Sequence, residues 1–484
     1  MINLSYLTFS DSAKYADVAR SITSGMGYLA TFDFWNGNNT EVIKPVYPYI
    51  ISVAFKLFGI TDISVIFTSI FCFILSILVT YLLADKIFKN KIVSILSALS
   101  VGFNYNLIVY AFGGASESLF ILEILVSIYL VSFKRNWLNY LSIFVLVLMF
   151  LTRPQAIIYI FAIVFYFFIL NYQKKKAIIY SFLTILFGGF FYLLSNNQGI
   201  FALSQNLPNS SVSDSLRGTK FEIDLFVILK KVFYNLYNFY KAIPEIMNPY
   251  LFGMFTVGVL SFFTNATNDK DKIQDSFKLS TLFATALTFF ITALTIPFYR
   301  YIHPVVPLVY IIAVATLVDL ISKITKEKFI ILSSTFIILF FAVGQTLGII
   351  FLDSRFERKL KNTDKAPIFV LQGRMLKDIT SKDDMILTNL DTWGSWYGER
   401  KTVWFPVEPE MIGQADRDID FIYLTSYKMD DENYYMGDKW REIFNNPLKQ
   451  TILPDYEFVG EYQFKADDNY EKESGRVVLL KRKK

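Results

Sequence analysis

Apolar residues fill this chain in runs of spanning length, separated by short polar clusters. The runs fall at roughly 63–84, 92–112, 116–133, 137–151, 155–171, 177–195, 250–264, 279–297, 304–322 and 329–352. A helix needs ~20 apolar residues to cross a bilayer, so the pattern predicts about ten transmembrane helices. Only Thr152-Arg153-Pro154 separates 137–151 from 155–171, so these read as a hairpin turning at a membrane face. Segment 46–58 is apolar but carries Lys56 and two nearby prolines, which predicts an interfacial helix. After residue 353 the pattern changes. Apolar runs shrink to strand length at 385–388, 402–405, 421–424 and 477–480, while 367–379 keeps a helical spacing. Strands alternating with short helices predict a small α/β domain.

Charge sets the orientation. Lys86, Lys89 and Lys91 follow the first span, Lys134 and Arg135 the third, and Lys174, Lys175 and Lys176 the fifth. Lys270, Lys272 and Lys278 follow the seventh, and Lys323, Lys326 and Lys328 the ninth. Basic loops stay on the cytoplasmic side. The expectation is therefore a polytopic α-helical membrane protein in three parts. These are an extracytoplasmic segment 1–62, a transmembrane helical domain 63–352 and an extracytoplasmic C-terminal α/β domain 353–484. Loop 196–249 faces out as well. The plasma membrane is the expected location.

Composition agrees with a membrane protein: 54% of the 484 residues are hydrophobic and 18% charged. A net charge of +5 matches lysine-rich loops and gives no reason to expect nucleic acid as a partner. One cysteine, Cys72, and one histidine, His303, exclude a disulfide framework and a multi-histidine metal site within one chain. No metal and no cofactor is expected.

Against this apolar background a few polar residues carry candidate chemistry. The topology puts Asp11, Lys44, Glu117, Arg153, Arg300 and His303 all at the outer face. Ser10 is a favoured N-cap, which places Asp11 in the first helical turn and Tyr15 one turn on, on the same side. Asp11 can be a general base or a simple cap. Lys44, held extended before Pro45, can bind a lipid phosphate or snorkel. Arg300 stands between Tyr299 and Tyr301, and Arg153 lies in the hairpin turn. Each can hold a phosphate bidentately or anchor a span end. Glu117 and Glu123 lie in or beside the third span, where acids are costly and point to function. His303 reads as a packing or interface residue.

Several motifs in order resemble the lipid-phosphosugar-dependent glycosyltransferases of the C superfamily. The nearest likeness is to the protein O-mannosyltransferase and aminoarabinose transferase branch. Phe9-Ser10-Asp11-Ser12-Ala13-Lys14-Tyr15 is similar to that superfamily's acidic first-loop motif, and Lys44-Pro45-Val46-Tyr47-Pro48 to its Lys/His-Pro-Pro-Leu-Tyr element. Ser116-Glu117-Ser118, Thr152-Arg153-Pro154 and Arg300-Tyr301-Ile302-His303-Pro304 match three further turns. Thr388-Asn389-Leu390-Asp391-Thr392-Trp393, with Trp396 and Trp404 after it, resembles the start of the tail domain in bacterial members. Val46 stands where the superfamily has a second proline, and Ser12 where many members have a second acid. The superfamily also has a span ahead of the acidic loop that is not read here; a misassigned start, a truncated gene or a fold without that helix each accounts for this, and an in-frame apolar segment encoded upstream of Met1 is the expectation that tests them.

The resemblance implies that a sugar moves from a polyprenyl-phosphate donor to a hydroxyl of a protein, lipid or glycan acceptor, with inversion. It makes Asp11 the candidate base and Lys44 a phosphate ligand. Arg300, Arg153, Tyr15, Tyr301, Glu117 and His303 are the other candidate substrate-binding residues. Donor, acceptor and membrane lipids are the expected partners. Two other classes remain open on sequence: a secondary transporter using Glu117 and Glu123, and a non-catalytic membrane assembly protein.

Overall fold

The structure is a computed structural model that describes residues 6–35, 43–133, 135–171, 178–186, 225–264, 272–295, 297–324, 327–352, 365–414, 417–426, 436–469 and 471–483. Among these, four helical stretches are long and apolar enough to cross a membrane: Asp62–Phe88, Lys272–Leu294, Tyr299–Ile324 and Phe329–Gly348. The protein is a multi-pass membrane protein. The expected second span is not one helix. Lys91–Gly102 and Tyr105–Phe112 meet at a 56° bend. Asn104 makes the bend, because its side chain accepts from Leu107 N at 3.1 Å and restarts the helix. Glu117–Val131, Asn136–Phe150 and Ala156–Leu170 are shorter, at 15 residues each. Val46–Phe58 forms the helix expected between loop and first span. Of the 177–195 run, residues 177 and 187–195 lie outside the described residues, as do 196–224 of the expected outer loop and Lys134, Lys174, Lys175, Lys176, Lys270 and Lys326.

The long Asp62–Phe88 helix shows how the bundle packs. Its buried face carries Ser64, Thr68, Ser69, Cys72, Ser76 and Thr80, while Ile63, Phe67, Phe71, Ile74 and Leu78 point outward. Large apolar groups lose nothing by facing lipid, and small polar ones let neighbouring backbones approach. Ser69 Oγ donates to Ser118 Oγ at 3.0 Å and lies 2.9 Å from the Ala115 carbonyl, tying this helix to Glu117–Val131.

The tail folds on a six-stranded sheet in the order β1-β3-β2-β4-β6-β5. The strands are β1 Phe32–Asp33, β2 Met385–Thr388, β3 Lys401–Trp404, β4 Phe421–Thr425, β5 Tyr456–Phe464 and β6 Gly475–Arg482. β1 to β4 run parallel, and β6 and β5 complete the sheet antiparallel. The Ile368–Ile379 helix lies where the sequence places one. β1 comes from the first segment: Phe32 pairs with Thr402 and Asp33 with Val403. A single apolar core joins Ala13, Ala16 and Val18 of the first segment and Tyr47, Phe55 and Val65 near the membrane to Phe369, Trp393 and Trp396 of the tail. The first loop and the tail are therefore packed as one body over the end of the bundle.

Candidate active site

The site is assembled on the Ser10–Thr23 helix. Ser10 is already helical; Phe9 takes the cap position and makes no side-chain cap bond. The entry of this helix is fixed by packing instead. The Phe9 ring lies on Gly113, where a Cβ would overlap it, and 5.8 Å from the Tyr110 ring. The Gly113-Gly114 turn leads into Glu117, so the same contact brings Asp11 and Glu117 together. We expect Gly113→Val to push Phe9 away and lower turnover ~10²-fold, the usual cost of a small misplacement of reacting groups. Turnover of the reconstituted variant checks this.

Asp11 is held by two cations. Lys14 Nζ lies 2.9 Å from Oδ1, and Arg300 Nη2 bonds to Oδ2. Burial alone raises the pKa of this carboxyl, but the charges of Lys14, Arg300 and Arg153 outweigh it and hold the group well below the usual carboxylate range. Glu117, 2% exposed, takes Arg153 Nη1 at 2.8 Å and lies 3.7 Å from Arg300 Nε. Arg153 also donates to Ser116 Oγ at 2.8 Å. Tyr301 sits between the two guanidiniums, its ring centre 5.8 Å from Arg153 Cζ and 5.4 Å from Arg300 Cζ. The cluster holds Lys14, Arg153 and Arg300 against Asp11 and Glu117, an excess of one positive charge. Removing one partner of a buried pair such as Glu117–Arg153 costs ~3–5 kcal/mol, so these acids also hold the bundle end together.

Lys44 stands apart from this cluster. It is 9% exposed, lies 5.2 Å from the centre of the Phe150 ring, and forms no ion pair among the described residues. Desolvation lowers its pKa from the ordinary 10.5. It stays near Arg153 through backbone: Val46 N donates to Leu151 O at 3.2 Å. Tyr15 packs edge-on against Tyr47, 5.3 Å between centres, and Tyr47 donates to Gly114 O at 2.8 Å. His303 Nδ1 shares a hydrogen bond with the Tyr110 hydroxyl. Glu123 lies outside the cluster but accepts from Thr152 Oγ1 at 2.8 Å, next to Arg153. The structure thus unites Asp11, Glu117, Arg153, Tyr301 and Arg300, and places Lys44, Tyr15 and His303 around them.

Several further residues take part to which the sequence assigns no individual role. Lys14 was legible as an i,i+3 partner of Asp11. Asp17, 1% exposed, accepts from Arg20 Nη2 at 2.5 Å, from Thr31 N at 2.7 Å and from Thr31 Oγ1 at 2.7 Å. Arg20 donates to the Trp396 and Ser395 carbonyls at 3.1 and 3.0 Å. Trp396 Nε1 and the Tyr397 hydroxyl donate to Asp62 at 2.6 and 2.9 Å. Thr392 Oγ1 donates to the Ser10 carbonyl, and Trp393 Nε1 to Leu7 O at 3.3 Å. Beside them Asp391 has φ 59° and ψ −154°, a region normally left to glycine. Such backbone strain costs ~1–3 kcal/mol and gathers at functional sites. The tail motif at 388–404 clamps the base of the Asp11 helix.

This geometry can be set beside known proteins. The family model described as dolichyl-phosphate-mannose-protein mannosyltransferase matches residues 43–195. The archaeal oligosaccharyltransferase AglB from Archaeoglobus fulgidus is similar in structure, with TM-score 0.57 and 12% identity over 94% of this chain and 69% of AglB. ArnT from Cupriavidus metallidurans in the apo state gives TM-score 0.55 and 10% identity over 99% of this chain and 94% of ArnT. ArnT bound to undecaprenyl phosphate gives 0.56 and 10% over 99% and 95%. The chain has the glycosyltransferase C fold. No curated protein sequence matches it. In this glycosyltransferase C fold the matched segment 43–195 carries Lys44, Glu117 and Arg153, while Asp11 and Arg300 reach the cluster from outside it.

Proposed function

We propose that this protein is a membrane glycosyltransferase. It moves a sugar from a polyprenyl-phosphate donor to a hydroxyl acceptor at the extracytoplasmic face of the plasma membrane, with inversion. The observation that carries this reading is Lys44, a buried cation with no counter-ion among the described residues, next to a cluster with excess positive charge. Burying an unpaired charge is costly, and an anionic ligand supplies the missing partner. Two proteins with this fold are described in complex with dolichol-phosphate and with undecaprenyl phosphate, which supports a lipid phosphate as that anion.

Lys44 and Arg153 receive the donor phosphate, with Tyr301 beside them. The acceptor oxygen forms a new bond to the anomeric carbon as the bond from that carbon to the phosphate oxygen breaks. The electron pair leaves with the lipid phosphate, and the acceptor proton passes to Asp11. The leaving group departs as an anion and needs no general acid, unlike the two-carboxylate glycosidases. Asp11, clamped by Lys14 and Arg300, is a weak base. It suffices because an oxocarbenium-like transition state makes the acceptor proton acidic only late in the attack. Arg300 holds Asp11 in place, and Glu117 holds Arg153 and Arg300. Tyr15 supports the helix through Tyr47, and His303 lies on the acceptor side.

The test is transfer of label from polyprenyl-phosphate sugars extracted from the native membrane, with purified protein in liposomes. Wild-type turnover that exceeds protein-free liposomes supports the reading. Intact donor with every acceptor tried refutes it. For topology, about ten spans place residues 1–62, 196–249 and 353–484 outside the cytoplasm. A reporter active only in the cytoplasm, fused after Leu352, is expected to stay silent; activity reverses the orientation.

A further inference from the structure

A cavity of about 600 Å³ opens beside Arg300, and Lys44 is not among the residues that line it. Its walls are unusual for a membrane bundle, because they are breaks in helices. One wall is the bend at Phe103 and Asn104, another the turn from Pro244 to Asn248. A third is the pair of 3-10 turns at Tyr299–Tyr301 and His303–Val305, and a fourth the end of the π-turn Leu339–Val343. Irregular backbone in a membrane bundle survives only where protein or a polar cavity satisfies it.

Here side chains do so across the breaks. Asn104 Nδ2 donates to the Tyr310 hydroxyl at 3.0 Å, and Asn248 N donates to the same oxygen at 2.9 Å. Asn248 Nδ2 reaches Phe341 O at 3.0 Å and Gln345 Oε1 at 2.6 Å. Thr346 Oγ1 donates to Phe103 O, and Asn106 Nδ2 to Glu245 O at 2.8 Å. The four breaks are bolted into a preformed chamber. Two groups in its wall remain unspent. His303 is 3% exposed; its Nδ1 is taken by Tyr110, the Glu245 and Ile246 backbone lies near the ring, and Nε2 makes no well-formed hydrogen bond among the described residues. The Glu245 carboxylate forms no ion pair among the described residues.

We propose that this chamber is the acceptor site and that it takes a saccharide, whose hydroxyl is presented to Asp11 across Arg300. This rests on the transferase reading above and names its acceptor class. Position argues for it. Arg300 is both a wall of the chamber and the partner of Asp11, whereas neither Lys44 nor Arg153 is among the walls. Inversion requires the acceptor and the leaving phosphate on opposite sides of the anomeric carbon, so two sites with separate linings are needed, and the chamber shares Arg300 with Asp11 but no wall with Lys44 or Arg153. Chemistry argues for it as well. Tyr110, Tyr299 and Tyr310 line the chamber and give it aromatic surface suited to the C–H side of a sugar ring. The Glu245 carboxylate, the side-chain oxygen of Asn106, whose Nδ2 is already committed, and His303 Nε2 offer partners to its hydroxyls. A lipid acyl chain would strand those polar groups. A peptide needs an extended groove or free backbone partners, and here the backbone at the breaks is committed.

The experiment uses the full chain in liposomes with two probes. A diazirine-bearing octyl glucoside tests the chamber by crosslinking, and octyl glucoside against a Ser/Thr peptide tests the acceptor by transfer. We expect crosslinks in 103–106 and 243–248, and transfer to the glycoside. We expect Glu245→Gln and Asn106→Leu each to raise KM for the glycoside at least ~10-fold with kcat and donor KM little changed. Unchanged thermal melting confirms that each variant is folded. Donor consumption with transfer to the peptide, and no crosslinks in the chamber, overturns the proposal while leaving the transferase reading intact. An unchanged glycoside KM in both variants overturns it too. Crosslinks in the chamber with no donor turnover keep the saccharide site and sink the transferase reading instead.

Discussion

Asp11→Asn is expected to abolish transfer while donor binding stays near the wild-type level. Asparagine keeps the shape and one acceptor oxygen, so the Ser10–Thr23 helix stays seated on Gly113 and on the tail. What disappears is the site for the acceptor proton, and a general base contributes ~10²–10⁴ in rate. Neutralising Asp11 also frees Arg300 and Lys14 from their carboxylate, which makes the site more positive and cannot weaken binding of a phosphate. Single-turnover transfer and an independent donor-binding assay separate the two effects. Wild-type turnover in the variant removes Asp11 from the chemistry. The pH profile carries the same assignment. Lys14, Arg300 and Arg153 hold the Asp11 pKa down, so the carboxylate is ionised at any pH above that lowered value. The acid limb of kcat/KM is therefore expected below the ordinary aspartate range of ~3.9. A limb well above that value assigns it to another group.

Why the polar residues were legible and their partners were not follows from what a membrane sequence displays. In a chain so apolar each charged residue beside a span is conspicuous, because burying it there is costly. That made Asp11, Glu117, Arg153 and Arg300 visible one at a time. Contacts across hundreds of residues leave no local trace: Asp11 and Arg300 are 289 residues apart. Topology puts Arg300 and Lys44 at the same face and says nothing of their partners; in the structure Arg300 serves Asp11 and Glu117. The tail strands 385–388, 402–405, 421–424 and 477–480 stood out because both faces are covered and the runs are continuous. β5 alternates exposed and half-buried residues, a weaker signal, and β1 is two residues long and has no signal at all. The bend at 103–104 had one, since Gly102 and Asn104 interrupt an otherwise apolar run. Length alone made it a single span.

Lys44→Met is expected to do two opposite things: weaken donor binding and raise the thermal stability of the free protein. Both follow from the same fact, a cation 9% exposed against Phe150 without a carboxylate among the described residues. In the free protein the ammonium has given up water and gained only the Phe150 ring face, worth ~0.5–2 kcal/mol. Methionine fills the same volume without that penalty, so Tm rises. With donor bound, the ammonium meets a phosphate in a desolvated site, a charge-assisted contact worth ~1.5–3 kcal/mol, and its loss weakens binding ~10–150-fold. Lys44→Arg keeps the charge and recovers part of the affinity. The pH dependence has a definite sign. Desolvation lowers the pKa of the free lysine, and a bound phosphate raises it. Donor affinity is therefore constant below the free-state pKa and falls as pH rises through it, beginning at a lower pH than an ordinary lysine near 10.5 allows. A lysine that merely snorkels to the interface behaves otherwise. Lys44→Met then leaves donor affinity unchanged, and the phosphate assignment of Lys44 fails.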